Sequence, residues 1–375
     1  MKILPFRGVY PNTNLITSAE SFFADVKEEF SSFFASGMFN KSSAPSIYIY
    51  QIKTPQRSFT GIISINDIQD FIDEKILKHE QTLNTKGQVT TNLILQRKAL
   101  IKPVLLAYDP VPQLDDLIRY HMRAKDVLYA ITFEKSQETH SFWEISAEKE
   151  IKEFQRLFDQ KVAKAYIADG HHRCETVLKL YRSSDQYQIN LSGILSVYFS
   201  FDQLAIHDYN RIVDVFSEMS PLQFFARLSK YFVIRPIKGY RKPKEKHIIV
   251  LGTGDEWFEL EWRKKVLKEQ PNKLALLDSG LLNEYVLGEI LQIEDITADE
   301  KIKYIEGTTD EITIHRMLLK NKNLVLFMLY PVQPSELKHM ADKGLTLPPK
   351  STYFEPRIKN AIIVKDMTKI PSAKP

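Results

Sequence analysis

The run Asp169-Gly170-His171-His172-Arg173 packs more chemistry into five positions than any other stretch of the chain. It lies after a short apolar segment, AYIA, and precedes a stretch with helical spacing. Glycine there permits a tight turn at backbone angles other residues avoid. The amides of a new helix would point beyond the strand end, which is the geometry of an anion site. Arg173 would add a forked cation suited to phosphate oxygens, and His171 and His172 could donate to oxygens or shuttle protons near neutrality. Asp169 could orient a histidine or hold a nucleotide's magnesium ion. The plainer reading is an Asp N-cap and then a solvated first turn.

Other candidates are more scattered. Lys78-His79-Glu80 falls in the polar loop KHEQT, with Glu80 a possible general base and His79 its assistant. A charged loop is also an ordinary solvated surface. His79, Glu80, His171 and His172 are zinc-compatible in type, but no HExxH spacing is present. The C-terminal loop LPPKSTYFEPR offers Lys350, Ser351, Thr352 and Arg357 as donors to a polar substrate. Alternatively, Tyr353 and Phe354 of that loop plug the core. Arg211, in YNRIV, reads either as a substrate contact or as an ion-pair residue. Cys174 reads as a small packed residue.

The elements that must position these groups can be read from periodicity. Residues 18–36, 89–100, about 15 residues from Glu148, 170–181 and 220–232 have helical spacing. Residues 46–52, 58–65, 102–108, 127–133, 141–146, 165–169 and 194–200 read as strands. DIQDFIDEKIL reads as a short helix. After residue 215 come a hairpin, HIIVLGTG and WFELEW, and two strand–helix units. Strands and helices interleave irregularly, so a mixed α/β (α+β) sheet protein is expected, with a core over 1–210 and a C-terminal α/β region over 211–375.

Composition bounds the function classes. Hydrophobic residues make up 43% of 375, an ordinary globular fraction. A net charge of +4 is too small to argue for nucleic-acid or membrane-surface binding. The single cysteine, Cys174, excludes an internal disulfide and a multi-cysteine zinc site, and fits a reducing compartment. Neither a secretory signal nor a membrane span is legible, so a cytoplasmic protein is expected.

Taken together, ILPFRGVYPN, KHEQT, KPVLLAY, YIADGHHR, YNRIV and PPKSTYFEP, in that order, resemble the domain-of-unknown-function family 1015. The PPYDV-like and NPYSFLHV-like strings of that family are not legible in the first third. The DGHHR turn also resembles that of the ParB/sulfiredoxin superfamily, which includes free-serine kinases. The resemblance implies that Gly170, His171, His172 and Arg173 cradle nucleotide phosphates and that Glu80 is the base. It implies ATP or ADP with Mg²⁺ near Asp169 or Glu175, and a small hydroxyl acceptor such as serine. Two other readings share this scaffold: a non-catalytic nucleotide-binding regulator, and a ParB-like nucleotide-gated DNA-binding protein with a helix-turn-helix after the core. The sulfiredoxin cysteine has no counterpart at Cys174, and the sequence leaves the oligomeric state open.

Overall fold

A computed structural model describes residues 1–80, 84–183, 186–187, 189, 191, 193–269 and 277–368. Gln81 and Thr82 of the KHEQT loop lie outside the described residues. The chain is a mixed α/β protein that divides into two compact units: Met1–Ala205 together with Pro356–Pro375, and Ile206–Glu355.

The first unit is built on a nine-stranded mixed sheet. In chain order its strands are β1 (Ile3–Leu4), β2 (Ile47–Lys53), β3 (Ser58–Asp67), β4 (Ile76–Leu77), β5 (Val104–Tyr108), β6 (Tyr129–Phe133), β7 (Glu138–Ile145), β8 (Ala165–Asp169) and β9 (Gly193–Ser200). The lateral order is β4-β8-β5-β9-β3-β2-β7-β6, with β1 paired to β3. Every residue of β5 and β9 is buried, and the two run parallel, as expected of strands covered on both faces. A four-stranded sheet joins Gly8–Pro11, Phe39–Lys41, Ala99–Leu100 and Val364–Asp366, so the C-terminal segment belongs with the N-terminal one. Phe22, Val26 and Phe30 of helix Ala19–Ala35 pack on it beside Val9 and Val364.

Three elements of this unit depart from the periodicity reading, the first of them at the site. The expected helix DIQDFIDEKIL stops at Ile72, and Ile76–Leu77 is instead the edge strand β4. A two-residue strand has no period to detect; only its pairing with β8 makes it one. The helix expected at 89–100 begins earlier, spanning Asn84–Arg97. A helix at Pro112–Ala124, with Leu114, Ile118 and His121 buried, also escaped the periodicity reading.

The second unit is a six-stranded antiparallel sheet of β10 (Tyr209–Asp214), β11 (Phe232–Ile237), β12 (Ile248–Thr253), β13 (Glu256–Trp262), β14 (Ile302–Glu306) and β15 (Leu324–Met328). Its order is β11-β13-β12-β15-β10-β14. Alternation divides its core in two. Val213, Leu251 and Phe327 face a cluster with Phe224 and Leu282; Ile212, Val250 and Leu326 face helix Glu311–Lys320 through Ile314 and Leu318. The helix expected over 220–232 ends at Leu228, and Phe232 already belongs to β11.

Candidate functional site

The pairing of β4 with β8 is parallel, Ala165 opposite Ile76 and Tyr166 opposite Leu77. Parallel strands deliver the segments at their carboxyl ends to the same edge of a sheet, the edge where open α/β sheets bind ligands. Lys78-His79-Glu80 therefore emerges beside Asp169-Gly170-His171. The His79 and His171 rings meet edge to face, 4.6 Å between centroids and 86° apart. Lys78 pairs with Glu175, 3.6 Å away, across the same junction.

Gly170 caps the twelve-residue helix His171–Arg182 at φ +108°, a left-handed conformation that favours glycine. A Cβ there would also stand 2.9 Å from the Arg173 guanidinium carbon, so any other residue would have to displace that guanidinium. No side chain caps the helix. Asp169 thus does not act as the N-cap of the plainer reading, because its carboxylate turns instead to cations. Its Oδ2 accepts from Arg173 Nη2 at 2.5 Å, its Oδ1 accepts from Arg357 Nη1 at 3.1 Å, and Lys102 Nζ stands 3.9 Å from Oδ2. Those cations hold the Asp169 carboxyl below its ordinary range, even against burial, the largest influence on it. Arg173 also donates to the carbonyls of Lys102 and Pro103, fastening the segment ahead of β5 to the turn. One carboxylate thus organises three cations beside a helix N-terminus, leaving a local excess of positive charge.

Magnesium does not fit Asp169 as it stands, because both of its oxygens are engaged by guanidinium groups. Glu175 lies 3.6 Å from the Lys78 ammonium through one oxygen. Among the described residues no group of three or more His, Cys, Asp or Glu side chains is placed to hold a metal ion.

His171 is buried, and burial, the largest influence, pushes its pKa down to about 4. Its Nδ1 faces Glu80 Oε2 at 3.5 Å, and its Nε2 accepts from the backbone amide of His79 at 3.4 Å. The His79 ring, expected to assist Glu80, is instead fully enclosed, and burial drives its pKa well down. Glu80 is about one-third exposed, and His172 is half-buried on the first turn. Cys174 is packed, its thiol pushed up to about 12 by burial.

The remaining sequence candidates belong to the second unit. Arg211 is fully enclosed and donates to the carbonyls of Tyr209 and Lys350, the latter at 3.2 Å. Ser351 and Thr352 are buried, with Ser351 Oγ 2.9 Å from Ser279 Oγ. Lys350 is exposed, its ammonium 4.8 Å from the Tyr209 ring centre. Tyr353 and Phe354 are buried, as core plugs would be.

Sequence reasoning missed Lys102 altogether and took Arg357 as a substrate donor of the 347–357 loop rather than as a partner of Asp169. Neither carries a local signal, since they reach Asp169 only through the sheet and the returning C-terminus.

Fold and turn together define a class: a mixed α/β protein with a glycine-capped helix start ringed by cations at the carboxyl ends of parallel strands. The chain belongs to the family described as Protein of unknown function (DUF1015), whose profile matches residues 9–280. No curated protein matches it. Among solved structures it is similar to SbnI with a C-terminal truncation from Staphylococcus aureus (14% identity, TM-score 0.40, covering 80% of this chain and 85% of that one). It is also similar to a free serine kinase in complex with AMP (14%, TM-score 0.38, 78% and 86%) and to a mutant of a free serine kinase in complex with ADP (15%, TM-score 0.39, 78% and 87%). No helix among the described residues is long and apolar enough to cross a membrane.

Proposed function

We propose that the Asp169–Arg173 turn binds the phosphates of ATP or ADP, and that the protein transfers the terminal phosphoryl group to the hydroxyl of a small polar acceptor such as free serine. A bond forms between the acceptor oxygen and phosphorus, and the terminal P–O bond of the nucleotide breaks. The nucleotide leaves with one phosphate fewer, and Glu80 takes the hydroxyl proton. The observation that carries this reading is the parallel pairing of β4 and β8, which brings the carboxylate of Glu80 beside the cation-ringed helix start. Such a site catalyses mainly by positioning and charge stabilisation, which is what phosphoryl transfer requires.

His172, on the first turn beside the anion site, is the histidine proposed to reach the phosphates. Lys350, Ser351, Thr352 and Arg211 are the sequence candidates for holding the acceptor. The enclosure of Arg211, Ser351 and Thr352 favours a structural role for those three, which leaves Lys350 as the exposed member.

Thermal-shift measurements with AMP, ADP, ATP and CTP, with and without Mg²⁺ and serine, test the binding half. A shift with ADP or ATP that Arg173→Ala abolishes supports it; no shift with any nucleotide overturns it. Product analysis then tests the transfer. Phosphoserine formation that Glu80→Gln stops without loss of nucleotide binding supports a kinase. Binding without any product leaves a nucleotide-binding regulator.

A further inference from the structure

We infer that His171 is a positioning residue for Glu80, fixing the carboxylate through a proton held on its Nδ1. The inference rests on the phosphotransferase reading for its kinetic consequence and on geometry for its structural one. A backbone amide can only donate, so the contact from His79 N to His171 Nε2 makes Nε2 the acceptor. The proton of the neutral ring then sits on Nδ1, the nitrogen that faces Glu80 Oε2 at 3.5 Å. The His79 ring, packed perpendicular to that of His171, opposes rotation that would exchange the two nitrogens.

This arrangement also assigns the proton chemistry. The lone pair of His171 is turned inward and occupied by an amide, so His171 has no acceptor nitrogen to offer a substrate hydroxyl. Glu80 is about one-third exposed, and a carboxylate is the acceptor type that taking a hydroxyl proton requires. The enclosed His79 therefore acts through its backbone, by setting the tautomer of His171. The order of action is His79 amide, His171 ring, Glu80 carboxylate. It joins residues 92 positions apart.

Three substitutions of His171 separate the roles. Asparagine places an amide nitrogen near the former Nδ1; glutamine places one near the former Nε2; leucine provides neither. With ADP or ATP and serine, we expect His171→Leu and His171→Gln to lower kcat by about 10- to 100-fold, the scale of a mispositioned catalytic group. Nucleotide Kd should stay within about threefold. His171→Asn should recover most of kcat. Equal losses in the asparagine and leucine variants, with nucleotide binding and folding intact, overturn the inference.

A second measurement needs no turnover. Nitrogen NMR of the histidine side chains should show the His171 proton on Nδ1, and that resonance should move in Glu80→Gln. A proton on Nε2, or a resonance indifferent to Glu80→Gln, overturns the inference even if the protein is a kinase. The expected spectra alongside absent turnover would leave the positioning contact standing and the kinase reading fallen.

Discussion

Asp169 and Arg211 are the charged centres of the two units, and they are built in opposite ways. Around Asp169 a single carboxylate meets Arg173, Arg357 and Lys102, and all four side chains keep partial access to solvent. Arg211 has no solvent access and, among the described residues, no carboxylate bonded to it. Backbone carbonyls and the Tyr304 ring, 5.5 Å away, surround its guanidinium, and burial pushes its pKa down to about 10. The first arrangement has charge in excess and somewhere to direct it. The second is closed, with its two terminal nitrogens turned to the carbonyls of Tyr209 and Lys350. An arginine beside a polar loop thus joins a partly exposed charge cluster in one unit and an enclosed fastening in the other, and residue type does not tell them apart.

The strongest way to break that comparison is Arg211→Ala. Removing an enclosed side chain and its bonds to backbone carbonyls should lower stability by about 3–5 kcal/mol, read from urea unfolding, while ADP binding by the folded protein persists. Loss of ADP binding with unchanged stability would put Arg211 among the site residues. The next effect is in pH. Because folding lowers the pKa of His171 to about 4, the unfolded chain binds the proton first as pH falls below about 6.5. Stability is therefore fully present above that pH and declines toward pH 4, by on the order of 3 kcal/mol, with His79 acting in the same direction. Urea midpoints at pH 7, 5.5 and 4.5 would show the decline, and a flat profile would mean that the His171 ring is open to solvent.

A smaller effect sharpens the comparison at the exposed centre. Arg357→Ala removes one of the three cations on Asp169 and should weaken ADP binding about tenfold by calorimetry, equivalent to about 1.4 kcal/mol, with little change in melting temperature. A destabilised protein with unaltered ADP affinity would make the cluster a fastening like Arg211. Smallest is Lys350→Ala, which loses only an exposed cation–π contact and should change stability by about 0.5 kcal/mol. A rise in serine KM in that variant would restore Lys350 to the acceptor site.

Most long elements were legible because each carries its own pattern. Helix Glu148–Lys161 buries Ile151, Phe154, Leu157 and Phe158 at helical spacing, and β12 and β13 form the hairpin their alternation and Gly254 suggest. The edge strand β4 was not legible, because two residues show no alternation. Helix Pro112–Ala124 does carry a signal, a proline in the first turn and buried positions three and four apart, that a fuller count would have found. At the site, residue types in DGHHR suggested an anion turn, while the enclosure of His79 and the inward lone pair of His171 depended on neighbours that no local pattern names.

By itself the sequence determined the turn. A buried strand, a glycine able to hold φ +108° and a helical run are local properties of residues 165–182, and local backbone preference is enough to specify them. Tertiary structure alone decided what surrounds that turn. Glu80 arrives because a two-residue strand pairs parallel to β8; Lys102 because the start of β5 lies alongside; and Arg357, 188 residues from Asp169, because the chain returns to the first unit at its end. Those three meetings are long-range contacts, set by sheet order and chain return rather than by any run of neighbours.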